Sequence, residues 1–177
     1  MPYFERDVDV LYSEVQVQER VRQLGAEITR DFQGQELTLV GIMKGSVFFL
    51  TDLARAIDLP VVIELMGVSS YHGGTETTGE VRITHDLTKP LHDRQVLLVE
   101  DIIDTGLTMK FLLENLAARH PAAVRVATLL EKPSRAKVKV AIDYRGFVIE
   151  DRFVVGYGLD WGEKYRNLPF IGVMKSD

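Results

Sequence analysis

The sequence predicts an α/β fold: one domain, built on a mainly parallel, twisted sheet flanked by helices. Three observations lead there. Short apolar runs of strand length alternate with stretches whose apolar residues recur at helical spacing, the pattern of successive βα units. The run Val96-Leu97-Leu98-Val99 is apolar on both faces, as befits a strand buried inside a parallel sheet. Acids follow that run at once (Glu100, Asp101, then Asp104), where open α/β sheets bind their ligands.

The elements follow in order. Ser13 with Gln16 is a capping-box signature, and Val17, Val21, Leu24 and Ile28 recur at helical spacing, so a first helix is expected to run to about Arg30. Leu37 to Met43 reads as a short strand. Ser46 is placed to cap a second helix that buries Phe49, Leu50, Leu53 and Ile57 and stops before Pro60. Val61 to Val68 is the next strand. From Ser69 to Gly79 the glycines and threonines build no packed element, and a flexible loop is expected. Val81 to Ile83 resumes a strand, and Gln95 to Val99 is the central one. A third helix, with Phe111, Leu112, Leu113 and Leu116 on its apolar side, ends near His120-Pro121. Val124 to Leu130, Val138 to Ile142, Phe153 to Tyr157 and Ile171 to Met174 complete the predicted strands.

With 177 residues the chain has room for one sheet and its helices, and neither repeat nor linker divides it. Hydrophobic residues at 46% and charged residues at 27% are ordinary for a globular protein. No apolar run approaches the ~20 residues that span a bilayer, and Met1 to Asp7 has neither the basic nor the apolar region of a secretory leader. The absence of cysteine excludes disulfides and thiolate metal sites and is compatible with the cytoplasm, which is the expected location. A net charge of −5 argues against a broad nucleic-acid surface.

Spacing narrows the chemistry. Adjacent strand residues face opposite ways, so Glu100 and Asp101 can serve one ligand only if the strand ends at them. Such a pair can accept from a ribose diol or face a divalent cation. Asp104 lies in the turn, and Thr105, Gly106 and Thr108 offer donors and close backbone approach at a helix start, which suits a phosphate. A sugar phosphate with a 2,3-diol satisfies all of these groups. A polyphosphate bound by an acidic chain needs a counter-charge, and magnesium is the natural supplier.

This run resembles the phosphoribosyl diphosphate motif of the type I phosphoribosyltransferases, and two acids, two aliphatics, Asp-Thr-Gly and a further Thr resemble their hypoxanthine–guanine branch in particular. The likeness continues through Leu130-Glu131-Lys132-Pro133 and Asp151 to Trp161, and upstream in Met43-Lys44-Gly45-Ser46 and Ser70-Tyr71, so it covers roughly Val8 to Met174. It implies a single phosphoribosyltransferase domain over residues 1–177, with a hood from the two ends of the chain and a lid over about 69–79. The implied activity moves 5-phosphoribosyl from its 1-diphosphate to N9 of hypoxanthine or guanine, giving IMP or GMP and pyrophosphate, with Mg2+, in a homodimer or homotetramer.

The resemblance also implies roles. Asp104 would be the general base, although an Asp at such a place often just starts a helix through an Asx turn. Glu100, Asp101, Thr105, Gly106, Leu107 and Thr108 would hold the ribose and 5-phosphate. Leu107 departs from relatives that have Lys there, leaving backbone N–H groups and hydroxyls to do this work. Lys132 would reach the 6-oxo group, selecting against adenine; a solvated charge is the bland alternative. Phe153 would stack on the purine and Val154 offer backbone groups to its edge, although periodicity alone makes Phe153 a core residue. Asp160 is grouped with these purine contacts and would also hold magnesium on the pyrophosphate side, as Glu100 and Asp101 would on theirs. Arg166, whose planar fork suits the task, would bind pyrophosphate with the Lys44-Gly45 loop, in which relatives often have a cis peptide before the Lys. Ser70 and Tyr71 would close the lid, excluding water from a reactive oxocarbenium.

Other motifs lead nowhere. Gly156-Tyr157-Gly158 begins like a dinucleotide fingerprint, but the third Gly is displaced to Gly162. No Walker A sequence occurs, and His72, His85, His92 and His120 lack metal-ligand spacing. Two rival readings stay open: a nucleic-acid-binding regulator on this fold, using the alternating Lys132, Arg135, Lys137 and Lys139, and an enzyme for xanthine or a pyrimidine.

Overall fold

Along the central strands, successive side chains face opposite ways and both sets are apolar, so the sheet has to be covered on both sides. The computed structural model of the protein describes residues 7–70 and 81–175. In chain order its elements are β1 (Val8–Tyr12), α1 (Glu14–Asp31), β2 (Leu37–Met43), α2 (Val47–Ala56), β3 (Val61–Ser70), β4 (Val81–His85), β5 (Gln95–Ile103), α3 (Leu107–Ala117), β6 (Ala123–Glu131), a 3-10 turn (Pro133–Arg135), β7 (Tyr144–Val148), β8 (Val154–Val155) and β9 (Ile171–Met174). The main sheet has the order β4-β3-β2-β5-β6-β7 and is parallel except at the edge strand β4. A second, antiparallel sheet β1-β9-β8 joins the beginning of the described chain to its end.

Leu37, Leu39, Leu97, Val99, Ala127 and Leu129 share one core with Val17, Val21, Leu24 and Ile28 of α1 and Phe49 and Leu53 of α2. Val40, Ile42, Val96, Leu98 and Val126 share the other with Met109, Leu112 and Leu116 of α3. Each such side chain gains about 1.5–3 kcal/mol on full burial, so the two-sided alternation decides the layering. It also aims the carboxyl ends of β2, β5 and β6 at one edge of the sheet, where the loops carrying the site begin.

The capping box forms as predicted: Ser13 Oγ accepts from the Gln16 N–H at 3.3 Å and the Ser13 N–H donates to Gln16 Oε1 at 2.9 Å. Ser46 stands at the start of α2 but does not cap it, because its hydroxyl donates back to the Ile42 carbonyl at 2.7 Å. Strand β3 runs on through Ser69 and Ser70, which pair with Arg82 and Val81 of β4, so the predicted loop begins later than Ser69. The rest of the expected lid, including Tyr71, lies outside the described residues, and of Ser70 only the backbone is described.

Two predicted strands need correction. Val138 to Ile142 forms no ladder, since the Lys137 and Val138 N–H groups donate instead to the Thr105 carbonyl at 2.9 and 3.1 Å. The strand beside β6 is β7, which starts with Tyr144 opposite Ala127. Phe153 to Tyr157 shrinks to Val154–Val155, because Gly156 and Tyr157 take positive φ (95° and 49°) and turn the chain.

Candidate active site

The ladder between β2 and β5 ends at Gly41 opposite Val99, whereas β5 stays paired with β6 as far as Ile103 opposite Glu131. Past Val99, β5 is therefore free on one side, and Glu100 and Asp101 stand on this half-paired end. The expectation that the strand stops at the acids does not hold: β5 continues through both to Ile103, but with one neighbour only. The Asp101 N–H donates to Glu100 Oε1 at 3.1 Å and the Ile102 N–H to Asp101 Oδ1 at 2.8 Å. Burial, then the neighbouring Asp101 charge, pushes the Glu100 carboxyl well above the usual carboxylate range; burial raises Asp101 as well. A methyl group on Gly45 would fall 1.7 Å from Asp101 Oδ2, so the loop after β2 passes this carboxylate only because residue 45 has no side chain.

Gly106, at φ 82°, turns the chain into α3 and has no side chain to cap it; Thr105 Oγ1 accepts from the Leu107 N–H at 3.4 Å, and among the described residues no side chain caps the next N–H groups, which suits a ligand. A Cβ there would meet the Val138 carbonyl at 2.4 Å. Glu100, Asp104, Thr105, Gly106 and Thr108 share the lining of a cavity of about 90 Å³. The segment after β6 supports this loop from behind: the Lys132 N–H donates to the Ile103 carbonyl at 3.0 Å, ahead of the two bonds that the Thr105 carbonyl accepts.

Lys132 is not a solvated charge. It is buried, and its Nζ lies 3.7 Å from Asp151 Oδ1. Asp104 Oδ1 accepts from Arg135 Nε at 3.0 Å, and the same guanidinium reaches Asp151 Oδ2 at 3.5 Å. The basic alternation Lys132, Arg135, Lys137, Lys139 accordingly makes no strand face: its first two members are engaged inside the site, and the segment beyond is not a strand. Phe153 is 55% exposed, which overturns the core assignment that periodicity favours, whereas Val154 next to it is buried in β8.

The second group lies in the loop between β8 and β9. Arg166 donates through Nη1 to the Gly158 carbonyl at 2.8 Å and pairs through Nη2 with Asp160 at 3.0 Å and Glu163 at 3.2 Å. Its Nε is buried without a hydrogen-bond partner among the described residues. Lys44, after a cis Met43–Lys44 peptide, donates to Glu163 Oε2 at 2.7 Å, and this bond holds the Glu163 carboxyl below its usual range. The Arg166 charge acts on Asp101, which ties this group to the first. Three members had no role at this site in the sequence reading: Arg135, named there only in the basic alternation, Asp151, named only as the start of the family-like block, and Glu163. No spacing rule could have found them, since each is defined by a partner brought close only by the fold. Among the described residues no three His, Cys, Asp or Glu side chains converge into a metal cage.

Comparison with known proteins places this geometry in a wider set. Residues 7–161 match the phosphoribosyl transferase domain family. The chain is 48% identical over 169 residues to the hypoxanthine-guanine phosphoribosyltransferase of Staphylococcus aureus strain Mu50, covering 96% of this chain and 94% of that one. Its fold superposes on a crystal structure of a Staphylococcus aureus hypoxanthine phosphoribosyltransferase with a TM-score of 0.93 at 47% identity, over 97% of this chain and 94% of the other. A hypoxanthine-guanine phosphoribosyltransferase from Bacillus anthracis gives a TM-score of 0.90 at 44% identity, over 96% and 99%.

Proposed function

The chain belongs to the phosphoribosyl transferase domain family, and on that footing we propose that it transfers 5-phosphoribosyl from 5-phosphoribosyl 1-diphosphate to N9 of hypoxanthine or guanine, releasing IMP or GMP and pyrophosphate. The observation that carries this reading is the half-paired end of β5. There Glu100, Asp104, Thr105, Gly106 and Thr108 line one cavity, with Asp101 next to Glu100 in the chain and the Lys132 backbone bonded to Ile103.

The roles follow from charge and position. Thr105 to Thr108 and the open start of α3 take the 5-phosphate. Glu100 and Asp101 accept from the ribose hydroxyls. N9 of the base attacks the anomeric carbon as the bond to pyrophosphate breaks, and positive charge develops on sugar and purine. Asp104 accepts the N7 proton, which leaves a neutral purine in the nucleotide. Lys132 donates to the 6-oxo group; an adenine amine there would face a cation with no acceptor between them. Phe153, exposed, offers a ring to stack on, and Val154 its backbone. Lys44, the Gly45 backbone and Arg166 receive pyrophosphate, and the unmet Arg166 Nε is a donor waiting for an acceptor.

Magnesium fits the donor set. Glu100 and Asp101 are hard oxygen ligands whose charges oppose each other in a buried place, which a cation relieves, and Asp160, engaged here by Arg166 and the Glu163 N–H, would exchange these partners for the cation on the pyrophosphate side. When bound with the diphosphate it would neutralise charge on the departing pyrophosphate. One or two carboxylates plus substrate oxygens are its usual holders, so a full protein cage is not required.

Segment 69–79 would cover the site, the β1-β9-β8 sheet would form the hood, and the enzyme would work in the cytoplasm as a homodimer or homotetramer. The test is a panel of free bases (hypoxanthine, guanine, xanthine, adenine, uracil) with the diphosphate donor and magnesium, followed for nucleotide and pyrophosphate. Formation of IMP and GMP well above the other products supports the reading. Turnover of xanthine or uracil alone, or of none, overturns it.

A further inference from the structure

Arg135 stands between the two residues that would read the purine. It ends the 3-10 turn after β6, and that turn is pinned on both sides: the Lys132 N–H donates to the Ile103 carbonyl at 3.0 Å, the Arg135 N–H to the Lys132 carbonyl at 3.1 Å, and the Lys137 and Val138 N–H groups to the Thr105 carbonyl at 2.9 and 3.1 Å. Residue 135 is thereby fixed against the loop that carries Asp104. From there the planar guanidinium gives Nε to Asp104 Oδ1 at 3.0 Å and Nη1 to Asp151 Oδ2 at 3.5 Å, while Asp151 Oδ1 faces Lys132 Nζ at 3.7 Å. Four charged side chains thus form one chain: Asp104, Arg135, Asp151, Lys132.

The two pairs made by Arg135 do little for the fold. The side chains of Arg135, Asp104 and Asp151 are 47%, 38% and 52% exposed, and ion pairs so open to water contribute little stability. The geometry of the network instead suits the substrate. N7 and the 6-oxo group are neighbours on one edge of the purine, and they require a proton acceptor and a donor at a set spacing. With Oδ1 of Asp104 engaged by Nε, Oδ2 is left to accept. Without Arg135 the carboxylate turns freely about its own bonds, and the far end of the chain loses one of the two cations on Asp151.

We propose that Arg135 is a positioning residue for the transfer reaction: with Asp151 as the bridge, it sets the acceptor Asp104 and the donor Lys132 at the separation that the N7 and 6-oxo edge of a 6-oxopurine demands. This rests on the roles given to Asp104 and Lys132 above. The test is steady-state kinetics with hypoxanthine for wild type, Arg135→Ala, Arg135→Lys, Asp151→Asn and, as control, Asp104→Asn. Arg135→Ala should lower kcat roughly 10- to 100-fold, the scale of a misplaced catalytic group, with the KM for the diphosphate donor little changed. Guanidinium ion at millimolar concentration should restore part of its kcat. Arg135→Lys, which keeps the charge but loses the fork, should fall between wild type and Arg135→Ala, and Asp151→Asn should act mainly on the KM for hypoxanthine. Wild-type kcat in Arg135→Ala overturns the proposal. So does a loss that weakens donor binding equally and is rescued neither by guanidinium nor by Lys, which marks a general structural role. If instead the wild type forms no IMP, or Asp104→Asn turns over normally, the underlying reading of the site fails, whatever the kinetics of the Arg135 variants.

Discussion

Asp104 and Lys132 are each one residue with one job, and each is testable by one substitution. Asp104→Asn keeps the size of the side chain and an oxygen for Arg135 but removes the proton acceptor. General acid–base contributions amount to roughly 10²–10⁴-fold, so kcat should fall within that range while the diphosphate donor binds much as before. Pre-steady-state mixing with hypoxanthine, alongside donor titration, separates the two quantities. Near-normal turnover would take Asp104 out of the chemical step. Lys132→Ala should raise the KM for hypoxanthine and guanine far more than that for the donor, because the residue is buried, its N–H is bonded to Ile103 at the end of β5, and its ammonium has Asp151 as ion-pair partner. Unchanged base kinetics would mean that the ammonium serves only its pairing with Asp151.

At the scale of an element, the turn from β5 into α3 depends on Gly106. Two independent constraints act there, a left-handed φ of 82° and a Val138 carbonyl 2.4 Å from where a Cβ would lie. Left-handed backbone alone costs a residue other than glycine about 1–2 kcal/mol, and the collision adds to it by pushing the 137–140 segment away. Gly106→Ala is therefore expected to lower stability by at least about 1 kcal/mol and to raise the donor KM, since the segment displaced is the one supporting the phosphate turn. Thermal unfolding together with donor kinetics checks both. A variant as stable as wild type with unaltered donor KM would show that the turn relaxes freely. Backbone bonds beside this contact explain why Val138 to Ile142 is not a strand: the Lys137 and Val138 N–H groups are taken by the Thr105 carbonyl, and β6 is left to pair with Tyr144 onward.

For the whole molecule, Glu100 sets function against stability. Its folded-state carboxyl holds a proton more tightly than an unfolded one, through burial first and the Asp101 charge second. A folded pKa above the unfolded value of about 4.3 means that stability declines as pH rises from there through the raised value, and that no such loss exists below it. Glu100→Gln should accordingly raise Tm relative to wild type at neutral and alkaline pH. The difference should close as the buffer is taken down to about pH 4, and the variant should lose donor affinity throughout. Donor with magnesium should stabilise wild type more than the variant in the same neutral window. A variant that is less stable at pH 8 than at pH 5, relative to wild type, would contradict the sign.

Much of this was legible from residues close together in the chain. The capping box at Ser13 and Gln16, the two-sided apolar runs of the central strands, and the acid-rich turn after Val99 are local signals, set by side-chain period and by donors and acceptors a few residues apart. They determined the α/β class and the place of the site, and the motif they frame carried the family resemblance. The small sheet is another matter. Ile171 to Met174 and the middle of Phe153 to Tyr157 were legible as strands, but β1 and the pairing of its Val8 with Met174 are announced by no local pattern. Whether Val138 or Tyr144 begins a strand turned on a competition between Thr105 and β6 for the same backbone segment. The partners of Asp104, Lys132 and Lys44 (Arg135, Asp151 and Glu163) are chosen by proximity in space, because a charge 31 or 119 residues away in sequence lies within 3.0 Å once the loops are packed. Period and capping act along the chain, whereas pairing and charge act across it, and only the folded structure brings the distant partners into reach.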